Sequence, residues 1–103
     1  MKTYFYKEKE YELRYSAKRI EMIEEMTGKS VIGNLMATKG ALGLSDLKQY
    51  FTFGLKEIDG RYVNNKLGLE IAEESIENDG YTKVLTDVLE VVQEDCPFMF
   101  REN

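Results

Sequence analysis

The stretch from Tyr81 to Asp95, YTKVLTDVLEVVQED, is the most regular segment of this 103-residue chain. Its large apolar residues recur at intervals of three and four, which is the spacing of one face of an α-helix. The residues on that face are Tyr81, Val84, Leu85, Val88, Val91 and Val92. Pro97 ends the pattern, because proline cannot continue a helix. The stretch therefore predicts an amphipathic helix with one face packed on a core.

The preceding segment, from Leu67 to Asn78, predicts a second helix of the same kind. Leu69, Ala72 and Ile76 mark its apolar face, and Ile71 lies off that face. Acidic residues crowd the other side of this helix: Glu70, Glu73, Glu74 and Glu77. General acid–base work needs carboxylates held in a pocket that changes their pKa values. Carboxylates on a helix exterior instead indicate a solvated face.

Two shorter helices are predicted nearer the start of the chain. Ser16 can cap a helix over residues Ala17–Thr27, and Gly28 supplies the left-handed position at which many helices end. Ser30 can cap a second helix, whose apolar residues are Val31, Ile32, Leu35 and Met36. The glycine-containing stretch Thr38–Gly43 is then predicted to be a mobile loop.

A central helix is predicted to begin at Ser45, with Asp46 close to the positive end of the helix dipole. Its apolar residues recur at helical spacing up to Asp59-Gly60, and they are Leu47, Tyr50, Phe51, Leu55 and Ile58. Gly54 lies inside this pattern, where glycine costs about 1 kcal/mol relative to alanine. We therefore expect a neighbouring helix to approach closely at that position.

The N-terminal segment has a different period. Tyr4–Tyr6 and Tyr11–Tyr15 are rich in aromatic residues, and the second alternates apolar with charged residues, as a strand with one solvated face does. Lys7–Glu10 separates them as a charged tip. An isolated hairpin is marginal in water, so a helix must cover it. The predicted fold is mainly α (α+β), an N-terminal β-hairpin followed by a bundle of about four to five helices, in a single domain over residues 1–103.

Composition excludes several classes of function. The chain has 14 Lys and Arg against 19 Asp and Glu, a net charge of −5, which opposes binding to nucleic acid. It has no histidine, which removes every Ser-His and Cys-His nucleophile pair. The single cysteine, Cys96, is predicted to be a small buried residue near a helix end. No apolar run is long enough to cross a membrane. We expect a protein that is not an enzyme, with no catalytic residue, metal site, cofactor or membrane partner.

Apolar side chains at the chain ends and in the glycine-rich connections indicate a binding surface. Burial within one monomer is hardest there, and exposed apolar patches usually mark contacts with other proteins. The residues predicted to contact a partner or another copy are Tyr4, Tyr6, Leu42, Leu44, Phe98, Met99 and Phe100. An alternative for the last three is that the tail folds back and fills a groove.

The order of the segments is distinctive along the whole chain. A hairpin segment KEYELRY (9–15) runs into a helix that ends EEMTGKS (24–30). LSDL (44–47) then opens an aromatic helix that ends GLK (54–56), and the valine-rich helix follows DGY (79–81). This order resembles the tail assembly chaperones of long-tailed phages and related prophages of Gram-positive hosts.

The resemblance implies a chaperone that binds the tape-measure protein, a long hydrophobic helical protein, and keeps it soluble until tail tube subunits polymerise around it. It also implies a homo-oligomer that works in the host cytoplasm and is absent from the mature virion. The chief alternative is a small phage or prophage regulator that binds a host protein, for example as an acidic DNA mimic. Mimicry needs carboxylates spaced like phosphates, whereas acids here alternate with lysines and arginines. An enzyme with a carboxylate-bound magnesium ion is a third possibility.

Overall fold

A small antiparallel sheet and five helices make up residues 2–101, the part of the chain that the computed structural model describes. The elements are β1 (Thr3–Tyr6), β2 (Lys9–Leu13), α1 (Ala17–Thr27), α2 (Val31–Thr38), α3 (Leu44–Gly54), β3 (Leu55–Glu57), α4 (Asn65–Asp79) and α5 (Tyr81–Asp95), followed by a 3-10 turn at Pro97–Met99, here named the tail turn. The predicted fold class, an N-terminal hairpin followed by a helical bundle, is confirmed.

The hairpin forms through a tight two-residue turn. Lys7 and Glu8 both have positive φ, 48° and 65°, which is the backbone of the turn that matches the twist of paired strands. Tyr4 pairs with Tyr11 across the hairpin, and both side chains are buried. The Tyr4 ring meets Phe51 of α3 edge-on, with 5.0 Å between ring centroids. The helical bundle therefore covers the inner face of the hairpin, as expected.

The central helix is shorter than predicted. α3 starts at Leu44, with Gly43 as its cap residue, and ends at Gly54, whereas the apolar pattern predicted a helix from Ser45 to Ile58. Residues Leu55–Glu57 form a third strand antiparallel to β2, with Leu55 opposite Leu13. Both leucines are buried in the core. The pattern failed because a buried leucine followed by half-buried residues suits a short strand as well as a helix end.

Gly54 allows a close approach, but its neighbour is a tyrosine ring rather than a helix. A Cβ added at Gly54 would lie 2.1 Å from Cζ of Tyr15. The Tyr15 hydroxyl donates a hydrogen bond of 2.8 Å to the carbonyl oxygen of Tyr50, and the ring is buried. Burial raises the pKa of this hydroxyl well above its usual value, so it remains a donor.

The buried face of α4 also differs from the prediction. Gly68, Ile71 and Ala72 are buried together with Ser75, while Leu69 is only half-buried. A Cβ at Gly68 would lie 2.4 Å from Cγ2 of Thr52, so α4 packs on α3 at closest range through its glycine. In this packing Ile71 faces the core, whereas the apolar pattern had placed it off the buried face. On α5, by contrast, the predicted valines are all buried and face the core.

Asp87 of α5 is buried at the junction with β1, which the hydropathy pattern did not reveal. It accepts hydrogen bonds from the Tyr4 hydroxyl at 2.5 Å and from Nζ of Lys83 at 2.6 Å. Nζ of Lys2 lies 3.6 Å from Asp87 and 2.9 Å from Glu90. Burial alone would raise the pKa of Asp87, but the hydrogen bonds from Lys83 and Tyr4 and the nearby lysine charges lower it overall. The sheet is thereby tied to the last helix.

Candidate protein-binding site

Two of the seven predicted contact residues lie inside the protein. Tyr4 is 5% exposed and Leu42 is 1% exposed, so the expectation that they are available at the surface is wrong. Tyr4 is drawn inward by Phe51 and by the carboxylate of Asp87. Leu42 enters the core because its loop turns back at Lys39 and Gly40, both with positive φ.

The loop Thr38–Gly43 is attached to the bundle at both ends. Gly40 N–H donates to the carbonyl oxygen of Leu35 at 2.8 Å, which closes α2. The hydroxyl of Tyr81 donates to the carbonyl oxygen of Leu42. With its leucine buried and its backbone bonded to α2 and α5, this loop is an anchored connection, and the interpretation as a mobile loop is not supported by its contacts.

The tail residues meet α2 at the surface. Together they line an apolar groove of about 350 Å³, here named the tail groove, formed by Ile32, Leu35, Met36, Met99, Phe100 and Arg101. Met99 is half-buried and packs against the core, while Phe100 is 43% exposed. The tail thus folds back in part, as the alternative interpretation proposed, but it forms one wall of a groove without filling it. Phe98, outside the groove lining, is 48% exposed.

α2 presents its apolar residues because of how the chain enters it. Ser30 caps the helix by accepting a hydrogen bond from the N–H of Gly33 at 3.0 Å. Oε2 of Glu24 accepts from the N–H of Val31 at 2.9 Å, so the start of the helix is bonded to α1. Within α2, Val31 is the residue that is fully buried. The other large apolar residues of this eight-residue helix are consequently left at the surface or half-buried.

The tail turn positions Met99 and Phe100, which form the second wall of the tail groove. Met99 N–H donates to the carbonyl oxygen of Cys96, and Phe100 N–H donates to that of Pro97, both at 3.1 Å. Cys96 itself is buried at the end of α5, which confirms the prediction for this residue. Burial, with the neighbouring Asp95 carboxylate, raises the pKa of the thiol, so Cys96 is uncharged at neutral pH.

Tyr6 and Leu44, the remaining predicted residues, line two neighbouring clefts that share Glu73 and Glu77 of α4. Tyr6 lines a cleft of about 440 Å³ with Leu69 and the acidic face of α4, and its hydroxyl donates to Glu70 at 3.4 Å. Leu44 is 55% exposed and lines a smaller cleft of about 220 Å³ with Ile76 and Lys48. The predicted residues therefore do not form one surface: Tyr6 and Leu44 line clefts along α4, and of the predicted tail residues only Met99 and Phe100 line a groove with α2.

Three strongly exposed apolar residues were missed from the sequence. Phe5 and Met36 are each 74% exposed, and Met26 is 50% exposed. Met26 borders a third cleft with Met22 and Phe53. A signal for Met36 did exist, because Val31, Ile32, Leu35 and Met36 span too wide an arc of this eight-residue helix for all four to be buried.

Within residues 2–101, no group of three or more Cys, Asp or Glu residues is placed to hold a metal ion. In the same part of the chain, no helix is both long and apolar enough to span a membrane. The chain matches no protein-family model, no curated protein and no solved structure.

Proposed function

We propose that this chain is a tail assembly chaperone, a protein without enzymatic activity that binds the tape-measure protein in the host cytoplasm and is absent from the finished virion. The observation that carries the proposal is the tail groove, in which Met36, Met99 and Phe100 offer apolar surface to a partner. The resemblance of the segment order to tail assembly chaperones suggests the tape-measure protein as the client.

The dimensions of the groove suit an amphipathic helix. α2 has eight residues, and at 1.5 Å per residue it offers a wall about 12 Å long. Two turns of a client helix fit along this wall, which places two apolar side chains, three or four positions apart, against the methionines. Methionine side chains are flexible and polarisable, so they can adapt to different apolar residues along a long client.

The charge of the chain fits the same role. A tape-measure helix with uncovered apolar stripes would aggregate, and each bound copy adds a net charge of −5 to the complex. Net charge of one sign keeps assemblies apart in solution. The chaperone therefore covers apolar surface through its groove and keeps the complex soluble through its acidic exterior.

Replacing Met36 with glutamate tests the groove directly. Met36 is 74% exposed, so the change leaves the fold intact while placing a charge where the client helix would lie. On co-expression with the tape-measure protein, we expect the soluble client recovered with the Met36→Glu variant to fall about ten-fold, which corresponds to about 1.4 kcal/mol of binding.

Met26→Glu is the matched control, since Met26 is also an exposed methionine but lies on α1 outside the tail groove. We expect it to recover as much client as the unmodified chain. A tape-measure protein that stays soluble and monodisperse alone would contradict the chaperone role. Loss of binding with Met26→Glu but not with Met36→Glu would contradict the groove.

A host-directed regulator is the second candidate, and the outer face of α4 favours it. Four glutamates of this helix line the larger cleft, which gives one side of the protein a concentrated negative charge: Glu70, Glu73, Glu74 and Glu77. A complex with a basic host protein through this face would weaken steeply with salt. A client complex formed through the tail groove would persist from about 0.05 to about 0.5 M salt, because salt does not screen apolar contacts.

A further inference from the structure

β1 has an open edge with unused backbone hydrogen-bonding groups. The sheet order is β1-β2-β3, so β1 pairs with β2 on one side and with no strand of residues 2–101 on the other. Leu13 N–H donates to the carbonyl oxygen of Lys2 at 3.1 Å, which makes that pair hydrogen-bonded. Bonded and non-bonded pairs alternate along an antiparallel ladder. Tyr4 and Tyr6 therefore bond to β2 as well, and Thr3 and Phe5 direct their N–H and C=O groups to the open edge.

The opposite edge of the sheet, at β3, is covered by another segment of the chain, whereas the edge at β1 is open. Beyond β3, Lys56 forms a bridge with Tyr62, and Glu57 N–H donates to the carbonyl oxygen of Arg61 at 2.9 Å. Edge strands are usually protected by proline, charge or a bulge. β1 reads Thr-Tyr-Phe-Tyr and keeps a regular register with β2, so it carries none of these.

We propose that the open edge of β1 pairs antiparallel with β1 of a second copy, joining two three-stranded sheets into one. The two-fold axis passes beside Tyr4, which places Thr3 of each copy opposite Phe5 of the other. In this register, Thr3 and Phe5 of one copy exchange both of their outward hydrogen bonds with Phe5 and Thr3 of the second. Four hydrogen bonds form, and every outward group of the two residues is used.

Side chains and charge favour a second copy as the partner. Phe5 is 74% exposed, and in this pairing its ring lies over Thr3 of the second copy, which removes apolar surface of both from water. The chain carries a net charge of −5, yet the segment from Lys2 to Lys7 contains no acidic residue. Lys2 is in turn paired with Glu90 at 2.9 Å. Pairing of two acidic copies along β1 therefore brings no carboxylate of this segment against another.

The size of the contact determines its strength. Stable protein interfaces bury about 1,600 Å² in total, and one edge of four residues with two phenyl rings falls well below this. The dimer is therefore weak and concentration-dependent. It uses elements separate from α2 and the tail turn, so it does not depend on the proposed client site.

Sedimentation equilibrium of the full chain, from about 10 μM to about 1 mM, tests the pairing. We expect a monomer–dimer equilibrium in the unmodified protein. Thr3→Pro removes an outward N–H and no bond to β2, and proline is tolerated at the first residue of an edge strand. Each dimer then loses two hydrogen bonds, and we expect the dissociation constant of the dimer to rise at least ten-fold. Thr3→Val keeps the N–H and is the matched control, with an unchanged equilibrium.

Amide hydrogen exchange of the unmodified chain provides a readout that needs no variant. Exchange at Thr3 and Phe5 should slow as concentration rises, whereas exchange at Tyr4, already bonded to β2, should not change. Phe5→Lys, which places a charge on the edge, should keep the chain monomeric. A chain that is monomeric at the highest concentration, or a dimer that leaves Thr3 and Phe5 exchange unchanged, would overturn the pairing. Neither result would alter client binding by the groove.

Discussion

Replacing Gly54 with alanine is expected to lower the free energy of unfolding by about 3 kcal/mol, a large part of the stability of a small domain. The added Cβ would overlap the Tyr15 ring, with 2.1 Å to Cζ and 2.4 Å to the hydroxyl oxygen. The ring cannot move away freely, because it is buried and its hydroxyl is bonded to the carbonyl oxygen of Tyr50. Urea denaturation followed by circular dichroism measures the loss.

A matched substitution and a double-mutant cycle separate this clash from a general effect of losing glycine. Gly43→Ala introduces a methyl group with no atom within 4 Å, so we expect a loss below about 1 kcal/mol. In a Tyr15→Ala background the clash is absent, and the cost of Gly54→Ala should fall by more than half. An equal cost in both backgrounds would mean that Tyr15 does not pack on Gly54.

Replacing Asp87 with asparagine is expected to lower the free energy of unfolding by about 3 kcal/mol at neutral pH. Asp87 is 4% exposed, and its carboxylate accepts hydrogen bonds from the Tyr4 hydroxyl and from Lys83. The amide that replaces it is uncharged, so both of these bonds lose their charge assistance and Lys83 loses its counter-charge. Thermal or urea unfolding of the variant measures this loss.

The same carboxylate predicts a dependence of stability on pH. Its pKa in the folded protein is lower than the usual 3.8, so the folded state favours the ionised form. The stabilisation is therefore present above the pKa of the unfolded chain and is lost as pH falls through the folded pKa. We expect the difference in stability between the unmodified chain and Asp87→Asn to be constant near neutral pH and to shrink below about pH 4.

Glu90→Gln is the control for Asp87, since it removes the other carboxylate that pairs with Lys2. The side chain of Glu90 is 50% exposed, and ion pairs at the surface contribute little to stability. We therefore expect a much smaller loss than for Asp87→Asn. If the free energy of unfolding of Asp87→Asn falls in parallel with that of the unmodified chain below about pH 4, another group causes the loss of stability in acid.

The extent to which the sequence predicted the site varies from one segment to the next. Phe98 to Phe100 were identified because proline ends the helix and leaves apolar residues behind it, and the structure places Met99 and Phe100 in the tail groove. Leu42 was misassigned because a glycine-rich stretch resembles an exposed loop, and its burial depends on a turn with left-handed residues. Met36 was missed because the sequence indicates only that α2 has more apolar side chains than it can bury, and which of them is exposed depends on the side of α2 that meets the bundle.

The sequence by itself determined the hairpin, the caps of α1 and α2 and the amphipathic α5, because turn residues, capping serines and hydrophobic period act within a few neighbours along the chain. Only the tertiary structure decided that Leu55 joins the sheet, that Asp87 is buried and that β1 keeps an open edge. Each of these outcomes depends on which distant backbone or side chain is within reach. The local sequence pattern does not indicate which distant group lies within reach, because the same residues would pack equally well against a different one.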